Sequence, residues 1–154
     1  MSDGGIKIVS ENRKARHNYF IEDTYEAGMV LLGTEVKALR DGKANLMDAY
    51  AVFKHGELFL INAHIAPYTH GNQQNHEPLR TRKLLLKSDE LEKLWKKSEI
   101  RGYSLVPTKI YFKKGLAKVE IALGRGKKNF DKRDSIKEKD MKRSMERITR
   151  TTRR

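Results

Sequence analysis

The chain has no cysteine, three prolines and one tryptophan in 154 residues. Without cysteine there is no disulfide framework, no thiolate-held zinc and no thiol nucleophile, so metal chemistry would rest on His and carboxylates alone. Long apolar stretches are missing as well. Runs such as Met29–Leu32 and Leu84–Leu86 fall far short of the ~20 residues that a membrane-spanning helix requires. Met1–Gly5 has neither the basic start nor the apolar stretch of a secretory signal, which points to a cytoplasmic protein.

The loops of several enzyme classes are missing too. Gly126-Lys127-Lys128 lacks both the hydroxyl residue after lysine and the glycine five positions earlier that a phosphate-cradling loop needs. Gly102-Tyr103-Ser104-Leu105-Val106 ends without the glycine of a nucleophile elbow. His76-Glu77 runs into Pro78, which cannot sit inside a zinc-protease helix. A metal-independent ribonuclease would need a pair such as His17 and His64 to move protons at a 2′-hydroxyl. The polar loop His70–His76 offers a histidine pair without an obvious third metal ligand. No cofactor, metal or catalytic residue is therefore expected.

What the chain has in excess is positive charge: 33 Lys plus Arg against 20 Asp plus Glu, a net charge of +13. Residues 125–154 carry 13 of those cations and 5 of the acids. A 38% hydrophobic composition supports one small folded unit, so the reading is a body over 1–124 and a basic tail over 125–154. An ordered body with a cationic tail suits a polyphosphate partner. A membrane surface is the poorer match, because beyond Phe130 the tail lacks the Trp, Phe and Leu that interfacial helices bury.

Periodicity predicts many short strands and few helices. Strands are expected at Ile6–Ser10 and Tyr19–Glu22, joined by a basic connection over Asn12–Asn18. Hairpins are expected around His55-Gly56 and Lys114-Gly115, the second placing Val119, Ile121 and Leu123 on one face. Thr34 is expected to cap a short helix that buries Val36 and Leu39, displays Glu35, Lys37 and Arg40, and stops at Asp41-Gly42. Ser88 would cap another, with Leu91, Leu94 and Trp95 as its packing stripe and Gly102 as its terminator. Gly124 and Gly126 read as a flexible joint. In the tail, Ser135–Glu138 is a capping box, and Met141, Met145 and Ile148 share a narrow helical face that buries too little to be stable alone. Without a βαβ rhythm, the class is mainly β, a small barrel with a few flanking helices.

Two basic clusters punctuate the body, Asn12-Arg13-Lys14-Ala15-Arg16-His17-Asn18-Tyr19-Phe20 and Arg80-Thr81-Arg82-Lys83. Each combines cations with polar or aromatic groups, the mixture that neutralises phosphates and contacts unpaired bases. Taken in order with Gly33-Thr34-Glu35-Val36-Lys37-Ala38-Leu39-Arg40, Gly42-Lys43-Ala44-Asn45 and Gly126-Lys127-Lys128 followed by Asp131-Lys132-Arg133, they resemble the SmpB family of SsrA-binding proteins of bacterial trans-translation.

The resemblance, which runs from about Ile6 to Asp140, implies a closed antiparallel barrel of the oligonucleotide-binding type. It implies a non-enzymatic adaptor that binds the tRNA-like domain of transfer-messenger RNA (tmRNA) and brings it to stalled ribosomes. Indirect partners, through that domain, would be elongation factor Tu and alanyl-tRNA synthetase. By motif, the RNA-facing residues are Asn12, Arg13, Lys14, Arg16, His17, Glu26, Lys37, Arg40, Lys43 and Asn45, with Arg82, Lys83, Lys127 and Lys128 as further basic contacts. Glu26 would accept hydrogen bonds from RNA or hold Arg40 in a binding rotamer. Phe130, Asp131, Lys132 and Arg133 match the segment placed at the small-subunit decoding centre, with Ile136, Met141 and Ile148 facing the empty message channel or packing on the body. Phe130 stands where members more often carry His or Tyr, and Met141 where some carry tryptophan. The tail would be disordered alone and helical on the ribosome. A structural ribosomal protein with a basic extension is the other reading of the same charge layout.

Overall fold

Two tight turns organise the sheet. In the computed structural model, which describes residues 6–68 and 75–127, His55 and Gly56 have φ of 54° and 77°, and Lys114 and Gly115 have 52° and 80°. Two successive residues of positive φ make the turn whose twist matches antiparallel strands, which is why glycine occupies the second position of each pair.

The elements in chain order are β1 (Lys7–Glu11), α1 (Lys14–Asn18), β2 (Tyr19–Met29), α2 (Gly33–Arg40), β3 (Ala44–Asn45), β4 (Tyr50–Lys54), β5 (Glu57–Ile61), β6 (His64–Ile65), β7 (Arg82–Leu85), α3 (Ser88–Ser98), β8 (Tyr103–Lys113) and β9 (Leu116–Gly126). Among the described residues, six strands pair in the order β8-β4-β5-β7-β2-β9, and β9 returns to β8, so the ring closes. Each pairing in that ring is antiparallel. β1 pairs antiparallel with Lys109–Phe112 of β8, on the stretch of that edge which β4, pairing at Leu105, leaves free, while β3 and β6 form a separate small ladder. The architecture is the mainly β barrel with few helices that the sequence implies. Bulges bend two of the three eleven-residue strands, at Ile21/Asp23 in β2 and at Pro107/Lys109 in β8. The second lies at a proline, which has no N–H to give to a ladder.

Alternation along β9 sends Val119, Ile121 and Leu123 into the core, where they meet Leu58, Leu60, Leu84 and Ile110. Helices α2 and α3 add Ala38, Leu39 and Leu94 to it. A second, smaller cluster lies on the outer side of the barrel wall, where Ala15 of α1 rests on Val106 and Ala122, flanked by Tyr19 and Ile21.

Several expectations are revised by packing. The basic connection is itself a short helix, α1, because Ala15 gives it one apolar residue to seat. β2 runs for eleven residues rather than four, paired along most of its length with β9. α2 begins at Gly33 with Leu32, not Thr34, in the capping position, and α3 begins at Ser88 with Lys87 before it. Trp95 is 45% exposed, whereas Leu94 is fully buried, so Trp95 lies outside the packing stripe. The boundary placed after Gly124 falls inside β9, since Gly124 pairs with Ile21 and Gly126 with Tyr19. These glycines form strand, not a joint. The tail's capping box and its apolar face lie outside the described residues. No helix among the described residues is long and apolar enough to cross a membrane.

Gly124 is required by a close approach. A Cβ at this position would lie 2.8 Å from the Cβ of Tyr19, an atom tied to the backbone of the paired strand. Gly124→Ala should therefore destabilise the barrel by about 1–3 kcal/mol, read as a lower urea midpoint; an unchanged midpoint would mean that the β2–β9 ladder yields freely.

Candidate nucleic-acid interface

The placement of α2 is decided from its buried side. Glu35, expected on the outer face, has no exposed surface. Its Oε1 accepts the Leu32 N–H at 2.8 Å and Arg80 Nη2 at 2.6 Å, and its Oε2 accepts Arg82 Nε at 2.7 Å. Arg82 is also fully buried, and donates onward to the carbonyls of Ala63 at 2.6 Å and Pro78 at 3.1 Å. Arg80 reaches the Val30 carbonyl at 3.1 Å. Burial works to raise the Glu35 pKa, but the hydrogen bonds from Arg80 and Leu32 and the charge of Arg82 outweigh it and hold the carboxyl below its ordinary value. Burial pulls the Arg82 guanidinium down, against the support of Glu35.

Arg82 is therefore corrected from RNA contact to internal tie: every strong donor direction it has is taken inside the protein. His76 belongs to the same buried layer, bonded at Nδ1 to Thr34 Oγ1 (2.9 Å) and at Nε2 to the Ile65 carbonyl (2.8 Å). Both ring nitrogens are engaged, so the His70/His76 metal pair loses its second member; His70 lies outside the described residues. Among the described residues no group of three or more His, Asp or Glu could hold a metal ion. His17 and His64 are both exposed, and no hydrogen bond among the described residues links either to a second acid or base.

With their inner sides anchored, the elements turn their cations to water. Asn12 Nδ2 donates to Pro107 O at 3.0 Å and to Leu46 O at 3.2 Å, which ties the entry of α1 to the segment following β3. The side chain of Asn12 thus positions its neighbours. Arg13 is exposed at the N-terminal cap of α1, Lys14, Arg16 and His17 on α1, Lys37 and Arg40 on α2, and Lys43 just before β3. Among the described residues, Arg13, Lys14, Arg16, Lys37, Arg40 and Lys43 form no salt bridge. Lys37 Nζ stands 5.7 Å from the centre of the Tyr68 ring. Asn45 Oδ1 accepts the Met47 N–H at 2.8 Å and so shapes its own turn. Between α1, the strand entry at Met47–Tyr50 and the start of β8 lies an open groove of about 580 Å³, with Asn12 and Lys14 on its wall.

Three other candidates have partners of their own. Glu26 accepts from the Tyr111 hydroxyl at 2.5 Å and from Lys113 Nζ at 3.4 Å, so it is held by β8 and does not orient Arg40. The Tyr111 hydrogen bond lowers the Glu26 pKa, while burial, followed by the Glu26 bond, raises that of Tyr111. Lys83 pairs with Glu57 at 2.5 Å in a half-exposed cross-strand bridge. Lys127 is drawn to α1: its N–H bonds Asn18 O at 2.9 Å, and its Nζ bonds Arg16 O at 3.3 Å. Lys128, Phe130, Asp131, Lys132, Arg133, Ile136, Met141 and Ile148 lie outside the described residues.

Sequence reasoning missed the roles of Glu35, His76 and Tyr111. For Glu35 the signal was available, since position 35 lies four before the inward Leu39 and three before the inward Ala38.

Comparison with known proteins was decisive. The family model described as SmpB protein matches residues 9–151. The chain belongs to the SmpB family. Relatives named SsrA-binding protein include one from Bacillus subtilis (strain 168), 54% identical over 150 residues, covering 97% of this chain and 96% of that protein. Another, from Geobacter sulfurreducens, is 57% identical over 141 residues and covers 92% of each. A solved chain from the structure "tmRNA-SmpB: a journey to the center of the bacterial ribosome" aligns with a TM-score of 0.68 at 50% identity, covering 82% of this SmpB family member and 93% of that chain.

Glu35→Gln keeps the volume but leaves Arg82 buried beside a neutral group, and should cost about 3–5 kcal/mol. Because the folded pKa of Glu35 is depressed, the carboxylate's contribution is fully present above the ordinary value of 4.5 and is lost as pH falls through the lower folded value. Denaturant midpoints followed from pH 7 to pH 3 should fall less steeply in Glu35→Gln than in the wild type; parallel acid limbs would refute the assignment.

Proposed function

We propose that this chain is a non-enzymatic adaptor that binds the tRNA-like domain of tmRNA and carries it to stalled ribosomes for trans-translation. One observation carries the reading: in a chain of this family, α1, α2 and the β3 entry present exposed cations that no carboxylate among the described residues neutralises. A surface of that kind gains by meeting phosphates, because each neutralised phosphate releases condensed counterions. The name SsrA-binding protein borne by relatives more than half identical to this chain supports the choice of RNA.

Arg13, Lys14, Arg16 and His17 with Lys37, Arg40 and Lys43 form the working surface in this reading, with Lys127 and Lys128 extending it. Asn12 and Asn45 shape the backbone on which it stands. Elongation factor Tu and alanyl-tRNA synthetase would meet the RNA rather than this protein. The basic tail forms a second unit: Phe130, Asp131, Lys132 and Arg133 occupy the decoding centre in place of codon–anticodon pairing, and Ile136, Met141 and Ile148 line the vacant message channel. The site of action is the cytoplasm.

The division of labour is testable by ending the chain after Asn129. The shortened protein should bind the tRNA-like domain nearly as well as the full chain, yet fail to support tagging of peptides on stalled ribosomes; equal loss of both activities would refute it. The two arginines should separate as well. Arg40→Ala should weaken RNA binding and leave the melting temperature unchanged, whereas Arg82→Met should lower the melting temperature. Log affinity of the full chain should fall with log salt by roughly 0.7 to 0.9 per phosphate contacted, and Arg40→Ala should reduce that slope by about one contact.

A further inference from the structure

Phe20 is an aromatic residue that the core does not use. Its strand neighbours Tyr19 and Ile21 pack beneath α1, so alternation turns Phe20 to the other side of the β2–β9 ladder, where it is 36% exposed. Two cations stand over its ring: the guanidinium carbon of Arg125 is 5.0 Å from the ring centre, and Nζ of Lys127 is 4.8 Å from it. Arg125 is also the direct partner of Phe20 in the strand register. Among the described residues neither cation pairs with a carboxylate. The acids that follow on β2 are already taken, Glu22 by the Tyr103 hydroxyl and Asp23 by Lys97, both at 2.6 Å.

An exposed ring with uncompensated cations over it has the composition of a single-strand stacking platform: a base that stacks on the ring takes the place of the cations, and the displaced cations meet the phosphates on either side. We propose that Phe20, Arg125 and Lys127 form a stacking site for one unpaired nucleotide of a bound RNA. The inference rests on the RNA-binding reading above, and adds a base-contacting element to cations that only neutralise phosphate. Lys127 joins the two, since its Nζ also holds the Arg16 carbonyl at the end of α1. Tyr103, bonded to Glu22 and paired with Arg125 across β8–β9, borders the platform on its other side.

The test uses the full chain with Trp95→Phe, so that Phe20→Trp is the sole tryptophan. The protein is titrated with a transcript of the tRNA-like domain and, separately, with purified small ribosomal subunits. Saturable quenching of the tryptophan is expected in one titration, and that titration names the source of the nucleotide. Phe20→Ala should weaken binding to the same RNA on the order of tenfold, and Phe20→Tyr should restore it; circular dichroism melts report whether each variant is folded. If Phe20→Ala does not fold, the quenching decides alone. The proposal is overturned if neither titration quenches while the unmodified chain binds both partners, or if folded Phe20→Ala binds like the wild type. Equal quenching by polyglutamate would assign the cations to an acidic protein and overturn it too. Failure of the unmodified chain to bind the transcript would sink the adaptor reading instead, and the subunit titration would then judge the platform by itself.

Discussion

One buried carboxylate sets the geometry on which the surface depends. Glu35 collects Arg80, Arg82 and the Leu32 N–H, and through them α2, the end of β2 and the start of β7 become one unit. A buried ion pair is a weak device for raising stability, since desolvation offsets most of its attraction. Its value here is positional. An apolar contact would hold α2 against the barrel at any of several rotations, whereas a carboxylate that must satisfy two guanidinium groups admits one. With Glu35 turned inward, Lys37 and Arg40 remain exposed.

Arginine accordingly plays two opposite parts in this fold. Arg82 is fully buried and bonded to Glu35 and to carbonyls, while Arg13, Arg16 and Arg40 stand in water without a carboxylate partner among the described residues. A basic tetrapeptide in a sequence cannot reveal which part each member plays, because alternation along a strand separates Arg82 from Lys83 by nothing more than a face. The decision comes from the strand register, which places Arg82 opposite the core residue Leu60 and Lys83 opposite Phe59.

Where local rules govern, the sequence was legible. The two hairpins follow from glycine at a turn position, and the inward face of β9 follows from period two, so both were readable without long-range information. The stop of α2 at Asp41-Gly42 was readable for the same reason. What escaped were features created by contacts distant in sequence. Ala15 makes α1 a helix only because Val106 and Ala122 lie beneath it, and Gly124 looked like a joint because the side chain that forbids a Cβ there belongs to Tyr19. Size and spacing put Trp95 in one packing stripe with Leu94, but Leu94 is fully buried while Trp95 faces solvent. The cationic character of the interface was plain in the composition, while its selection of exposed residues from buried ones was not.

Closure of the ring has a consequence for how such a chain is made. Tyr19 pairs with Gly126, more than a hundred residues later, so β2 has no β9 to meet until nearly all of the body has been synthesised. Until then β2 and β8 each offer an unpaired edge, the template on which nascent chains stick to one another. Folding must therefore be completed late, after the chain has left the tunnel at least through Gly126, and a product broken off before β9 would carry every cationic element of α1 and α2 on a scaffold that cannot shut.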